Sequence, residues 1–230
     1  MEDVLGQALM DYYQGHFTGR LWIHNQYGAK EAMPVPVYFR SPEAFTGIEK
    51  LALQLCRGKI LDIGAAAGSH ALWLQQNGKK ITALDISPLA VAVMQARGLT
   101  SVVQQDIFRF SGSRFDTLLL LMNGIGLAGT IAGLRRLLQH SSRLLRKDGQ
   151  LLFDSSDVAY VYEGKPLPEE KYYGEIHYRY GYKKQLTDWF SWLYIDKVTM
   201  TRIAQEEGWK MECLMEDEND QYLARLVRVK

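Results

Sequence analysis

The chain has 230 residues, 47% of them hydrophobic and 23% charged, an ordinary soluble globular composition for which one sizeable domain is expected. Its 27 basic and 26 acidic residues leave a formal charge of +1, so no global field draws it to nucleic acid or to an anionic membrane. Two cysteines, Cys56 and Cys213, exclude a disulfide framework and form no CxxC pair; both are expected as free thiols filling core space.

The first residues lack a basic segment followed by an apolar one, and the longest apolar stretch, around 118–122, is far short of a membrane span. A cytoplasmic protein without membrane contact is therefore expected. Val4, Leu5, Ala8, Leu9 and Tyr12 recur at helical spacing, and Gly15 offers a stop. Residues 16–40 are turn-rich, and Pro34 and Pro36 argue against helix around 33–38. From Ser41 and Pro42 a helix is expected, with Ser41 as N-cap, Phe45, Ile48, Leu51, Ala52 and Leu55 on its apolar face, and Gly58 closing it.

Ile60, Leu61 and Ile63 then form a short buried strand that turns through Gly64 and Gly68 into a helix over 71–77. Residues 81–84 are a second strand ending at Asp85, and Ser87 and Pro88 start the next helix. Residues 101–103 are a third strand running to Asp106. Residues 115–121 are a fourth, the most apolar and so expected to be central. A helix over 131–145 and a fifth strand over 150–153, ending at Asp154, complete the run. Short, continuously apolar strands alternating with helices describe a doubly wound parallel sheet covered on both faces, with ligands outside the carboxyl ends of the strands. Those ends carry Asp62, Asp85, Asp106, Asn123 and Asp154.

The last third differs. Residues 156–183 are rich in tyrosine, and loose alternation over 173–182 and 188–195 suggests two antiparallel strands. Asp196 caps a helix stopping at Gly208, and 209–215 with 221–229 read as a closing hairpin.

The loop 64–68 lacks the middle glycine and the spacing of the dinucleotide GxGxxG turn. Asp62, two residues before the first glycine, repels pyrophosphate but suits an ammonium. Asp85 follows at about the 20-residue offset expected of a carboxylate gripping ribose hydroxyls. Ribose without pyrophosphate, together with an amino-acid ammonium, points to S-adenosylmethionine. Joint occurrence of these groups at successive strand ends is hard to produce by packing alone. The scattered histidines and unpaired cysteines support no metal site, and His70 reads as a helix-start side chain.

With Leu61-Asp62-Ile63-Gly64-Ala65-Ala66-Ala67-Gly68 as first motif and Ala83-Leu84-Asp85-Ile86-Ser87 as second, the chain resembles the class I S-adenosylmethionine-dependent methyltransferases. Gln104-Gln105-Asp106-Ile107 is similar to the family's third motif; Phe115-Asp116-Thr117-Leu118, with Met122-Asn123-Gly124, is similar to the fourth. The likeness covers roughly 40–154 and, more loosely, the final helix and hairpin. It implies a Rossmann-like seven-stranded sheet, mostly parallel with an antiparallel closing strand. Around it lie an N-terminal helical extension and an antiparallel insertion after strand 5. The expected division is a single domain, 1–230: a helical cap over 1–57, a cofactor core over 58–155, an insertion over 156–195 and a closing helix and hairpin over 196–230. The resemblance also implies that Gly64, Ala65 and Gly68 lie at the methionine moiety, Asp85 at ribose, Asp106 and Ile107 at adenine, and the backbone around Asn123 and Gly124 beside the sulfonium; Asp62 and Ile86 are further cofactor-binding candidates. Ala66 stands where the family's pattern usually has a second glycine.

Methyl transfer is an in-line displacement on an already activated carbon, so the protein must align the acceptor, exclude water and, for some acceptors, remove a proton. Asp154, Asp157 and His177 are the candidate bases, against the simpler reading of 154–157 as a polar loop. The (N/D)PP(Y/F) tetrapeptide of amino-methylating DNA enzymes is absent, since residues 123–126 read Asn-Gly-Ile-Gly, and neither cysteine lies where cytosine C5 enzymes need one. A small-molecule acceptor methylated on oxygen or nitrogen is expected, with Arg40 and Tyr160 as candidate contacts, and no nucleic-acid partner. A nicotinamide oxidoreductase and a non-catalytic adenosylmethionine-binding protein are the alternatives. The sequence assigns no oligomeric state.

Overall fold

Side-chain caps set where five of the six described α-helices begin, the exception being the helix whose N-cap is Gly68. The computed structural model describes residues 2–229, so the outermost bounds of the expected division, Met1 and Lys230, lie outside the described residues. Helix α1 (Val4–Tyr13) is closed at its first turn by the Asp3 carboxylate, which accepts the Gly6 N–H. Two short strands follow, β1 (Leu21–Asn25) and β2 (Glu31–Met33), then α2 (Gly47–Leu55). The alternating run is β3 (Lys59–Ile63), α3 (Ser69–Gln76), β4 (Lys80–Asp85), α4 (Pro88–Ala96), β5 (Val102–Gln104), β6 (Phe115–Leu120), α5 (Ile131–Leu144) and β7 (Leu145–Ser156). The chain ends with β8 (Glu175–Tyr182), β9 (Gln185–Leu186), β10 (Phe190–Leu193), α6 (Lys197–Glu206), β11 (Trp209–Glu216) and β12 (Gln221–Arg228).

Seven strands are hydrogen-bonded in the order β11-β12-β7-β6-β3-β4-β5. The pairs β4/β5 and β6/β7 are parallel, whereas β12 is antiparallel to both β7 and β11. This is the expected Rossmann-like sheet. Strand order reverses beside β3, the place where open α/β sheets form ligand sites.

Contacts divide the chain into two compact units. The first comprises the stretch up to Phe45, Asp62–Phe110 and His177–Phe190; the second comprises Thr46–Leu61, Ser111–Ile176 and the stretch from Ser191. In the first, Val4, Ala8, Leu9, Leu21, Val35, Ala67, Ala90, Val93 and Tyr182 form one buried cluster, joining α1 to α4 and to the turn after β3. In the second, Leu118, Leu119 and Leu120 of β6 and Leu151, Leu152 and Phe153 of β7 are buried with Leu134, Leu137 and Leu138 of α5. Strands so completely covered on both faces carry continuous apolar runs, which is why their positions were readable from sequence.

Several expectations are corrected. The segment 16–40 carries strands: β1 pairs antiparallel with β2 and, through Leu21↔Tyr182 to Asn25↔Tyr178, with β8. With β9 and β10 these form a second, five-stranded sheet, so the segment 1–57 is not helical throughout. Val35–Phe39 is a 3-10 turn despite its prolines, because proline is tolerated at the start of a helical turn. Pro42–Ala44 is another such turn. The helix expected from Ser41 starts only at Gly47, because Thr46 and Glu49 form a capping box: Thr46 Oγ1 accepts the Glu49 N–H at 3.2 Å and Glu49 Oε2 accepts the Thr46 N–H at 2.7 Å. Cys56 is buried, but Cys213 is exposed on β11, an edge strand covered on little of its length. Among the described residues no helix is long and apolar enough to cross a membrane.

Candidate cofactor site

Asp62 is buried near the end of β3, and the chain then takes three left-handed residues in five: Gly64 (φ 73°), Ala66 (φ 50°) and Gly68 (φ 80°). Two of these are glycines, which adopt that conformation without steric cost. The turn is tied to β4 by the Leu84 carbonyl, which accepts the Gly64 and Ala65 N–H groups at 2.8 and 3.1 Å. Ala66 is the strained member, with left-handed backbone costing about 1–2 kcal/mol for a residue with a Cβ. Its N–H donates to Asp85 Oδ2 at 2.8 Å, which holds it there. A glycine at this position would be relaxed, which explains what the resembling pattern places there.

Asp85 ends β4 with each oxygen engaged, Oδ2 by Ala66 and Oδ1 by the Ser87 N–H at 2.9 Å. Burial raises its proton affinity; the Ser87 and Ala66 N–H groups oppose that, and the Asp3 charge adds to it. Asp62 is in a harsher position. Its Oδ2 is buried and finds no hydrogen-bond partner among the described residues. Burial pushes its pKa up to about 6, opposed by nearby His70 and reinforced by Asp85. Such an oxygen is costly unless a donor or cation reaches it. A ligand bringing an ammonium to the turn would supply one, so the residues present fit the amino-acid end of S-adenosylmethionine.

Beyond β5, Asp106 accepts the Phe108 N–H at 2.9 Å and so caps the 3-10 turn Ile107–Arg109. Ile107 is buried, whereas Ile86, next to Asp85, is 68% exposed. The register Asp85↔Gln104 sets the ends of β4 and β5 side by side. Asp62, Gly64, Ala65, Gly68, Asp85, Ile86, Asp106 and Ile107 therefore all lie at the carboxyl edge of β3, β4 and β5 within the first unit.

The remaining candidates divide between the units. In the second, Met122 (φ 60°) and Asn123 (φ 55°) are left-handed in succession before Gly124. The Asn123 N–H donates to both oxygens of Asp154 at 3.0 Å, its Nδ2 donates to the Leu193 carbonyl at 3.3 Å, and its Oδ1 accepts the Ser155 hydroxyl at 3.0 Å. Gln221 Nε2 adds a bond to Asp154 Oδ2 at 2.6 Å. Burial pushes the Asp154 pKa up to about 6 against the Asn123 and Gln221 donors. Asp157 is half-buried, and its Oδ1 accepts the Ala159 N–H at 2.9 Å and the Tyr173 hydroxyl at 2.8 Å. Tyr160 is 71% exposed. In the first unit, His177 is half-buried on β8, and Arg40 donates to the Val37 and Ala44 carbonyls at 2.9 and 3.2 Å. Asp154 and Asp157 share one unit; His177 does not join them there. Among the described residues no group of three or more His, Cys, Asp or Glu is placed to hold a metal ion.

Two contributors escaped the sequence reading. Asp3 reaches the Asp85 turn, and His70, read as a helix-start side chain, bears on Asp62. Asp3 three residues before Gly6 is a legible N-cap signal, but nothing local says that the same carboxylate serves a second helix.

Residues 61–153 match the family model described as a methyltransferase domain. A curated relative from Geobacillus sp. (strain WCH70), which carries a methyltransferase name, is 29% identical over 102 residues, covering 42% of this chain and 41% of the relative, so the match spans less than half of that relative's length. A solved S-adenosylmethionine-dependent methyltransferase from Bacteroides fragilis, in complex with S-adenosylhomocysteine, is 38% identical over 99% of this chain and 95% of its own, with a TM-score of 0.92. The sugar N-methyltransferase KedS8 from Streptoalloteichus sp. shares the fold at a TM-score of 0.58 and 18% identity, over 89% of this chain and 96% of its own.

Proposed function

The chain belongs to the S-adenosylmethionine-dependent methyltransferase family, and from that membership we propose that it methylates an oxygen or nitrogen of a small-molecule acceptor. When bound, S-adenosylmethionine supplies a methyl carbon already activated by its sulfonium. The observation that carries the site assignment is the buried Asp62 Oδ2 beside the glycine turn, which has no hydrogen-bond partner among the described residues. In this reading Asp62 meets the ammonium, Gly64, Ala65 and Gly68 allow close approach of the methionine portion, Asp85 takes the ribose hydroxyls, and Ile86, Asp106 and Ile107 line the adenine. Asp85 is held in place by the Ala66 and Ser87 N–H groups and Asp62 by burial, so little reorganisation accompanies binding.

For an acceptor that must lose a proton, Asp157 is the better candidate of the two aspartates on the second unit. Asp154 is buried and commits both oxygens to the Asn123 turn and Gln221. Tyr160, exposed on the same unit as Asp157, is the proposed acceptor contact there, and Arg40 is a separate candidate on the first unit. The free thiols of Cys56 and Cys213 suit a reducing cytoplasm.

Titration calorimetry with S-adenosylmethionine, S-adenosylhomocysteine and NAD tests the cofactor assignment. Binding of the two adenosyl compounds is expected, and NAD binding in their absence overturns it. Radiolabelled methyl transfer into a fractionated metabolite extract tests the acceptor class. Label appearing in small-molecule fractions supports the proposal; label confined to added nucleic acid or protein sinks it.

A further inference from the structure

The carboxylate of Asp3 caps two helices at once. Its Oδ1 accepts the Gly6 N–H at 3.0 Å, closing α1. Its Oδ2 accepts the Leu89 N–H of α4 at 3.2 Å and the Ser87 hydroxyl at 2.6 Å. Ser87 in turn accepts the Ala90 N–H at 2.9 Å as the N-cap of α4, and donates its own N–H to Asp85 Oδ1 at 2.9 Å. A single residue therefore joins the start of α1 to the carboxylate assigned to ribose.

The approach is close enough to need glycine. A Cβ on Gly6 would lie 2.3 Å from both Asp3 Oδ2 and Ser87 Oγ. Along the rest of α1 the same docking continues. Val4, Ala8 and Leu9 share a core with Ala90 and Val93 of α4 and with Ala67 of the glycine turn, and the Tyr13 hydroxyl donates to the Ala96 carbonyl at 3.0 Å. Two carboxylates meeting at one serine repel each other, so the arrangement is not the cheapest way to start a helix; an uncharged cap would serve α4 alone. What the charged cap adds is a fixed Ser87, and through its N–H a fixed plane for the Asp85 carboxylate.

We propose that Asp3 is a positioning residue for the cofactor's ribose: by holding Ser87 it orients Asp85, so that docking of α1 and occupancy of the ribose end of the site are coupled. This rests on the assignment of Asp85 to the ribose hydroxyls. Coupling of this kind is reciprocal, so ligand binding also tightens α1.

The test is calorimetry with S-adenosylhomocysteine and with its 2′,3′-dideoxyribose analogue, on the wild type, Asp3→Ala, Ser87→Ala and the double variant. Asp3→Ala should weaken S-adenosylhomocysteine about tenfold, within the usual range of coupling between sites, and leave the dideoxy analogue nearly unaffected. The double variant should lose no more than Ser87→Ala alone, and S-adenosylhomocysteine should slow amide exchange over residues 4–13 in the wild type but not in Asp3→Ala. Equal losses for both ligands, or additive losses in the double variant, overturn the proposal, since a general loss of stability would act on both. A wild type that binds the two ligands equally removes the ribose assignment instead, and the proposal falls with it. If Asp3→Ala does not fold, Asp3→Asn carries the same comparison, because it retains an acceptor for Gly6 while dropping the charge.

Discussion

Asn123 gives its one backbone N–H to both carboxylate oxygens of Asp154, 3.0 Å from each. That bond holds a turn in which Met122 and Asn123 are both left-handed, a conformation that non-glycine residues adopt at a cost. Asp154→Ala would leave the N–H buried and unanswered, and should destabilise the protein by about 1–3 kcal/mol in denaturant titration. Asp154→Asn keeps one acceptor and should cost less. Equal costs for the two would show that the carbonyl oxygen does not replace the carboxylate.

A second prediction concerns pH. The pKa of Asp62 is raised from 3.8 to about 6 by burial, so the folded state holds this proton more tightly than the unfolded chain. Stability from this group is present at low pH and is lost as pH rises toward 6, then stays level. Wild-type protein should therefore lose stability relative to Asp62→Asn between about pH 4 and 6 and run parallel above. Ligand affinity should move the other way, since an ammonium prefers the ionised carboxylate. S-adenosylhomocysteine binding should strengthen up to about pH 6 and plateau, with the rise absent in Asp62→Asn.

A third prediction concerns Asp85. Asp85→Ala removes the carboxylate proposed to take the ribose hydroxyls and also the acceptor for the Ala66 N–H that holds the turn. Hydrogen bonds to a charged group are worth about 1.5–3 kcal/mol, so calorimetry should show S-adenosylhomocysteine weakened by roughly ten- to a hundredfold. Unchanged affinity would contradict the ribose assignment.

A fourth tests packing beneath the Gly124–Ala128 turn. A Cβ on Gly126 would fall 2.0 Å from Trp192 Nε1. Gly126→Ala should cost about 1–3 kcal/mol through overpacking, and adding Trp192→Phe should recover part of the loss in thermal melting. No recovery would mean that the indole is not what the methyl group meets.

How much of this was legible varies with how local each signal is. Asp62, the glycine turn and Asp85 were readable because a strand, a tight turn and an acid at a fixed offset occupy one stretch of chain. The continuous apolar run over Leu118, Leu119 and Leu120 announced a buried strand for the same reason. β1 and β2 were not readable, because Leu21–Asn25 owes its pairing to Tyr178–Tyr182 and carries no clear alternation of its own. The start of α2 was misjudged because two N-cap signals compete within six residues. Ser41-Pro42 starts only a short turn, and the reciprocal bonds of Thr46 and Glu49 start the helix. The Asp3 link lay beyond sequence reasoning altogether, since Ser87 is 84 positions away.

The Tyr182 hydroxyl donates to Asp11 at 2.9 Å, and the two residues are 171 positions apart. Phe17 stacks on the same tyrosine ring at 5.3 Å. A ribosome working at roughly 5–20 residues per second delivers Tyr182 about 9–34 s after Asp11. Over that interval the first helix and β1 emerge without the strand that completes their sheet, and Leu21 waits for its cover. The order of synthesis thus runs against the order of pairing: the opening segment of the chain cannot complete its sheet until β8 has been made.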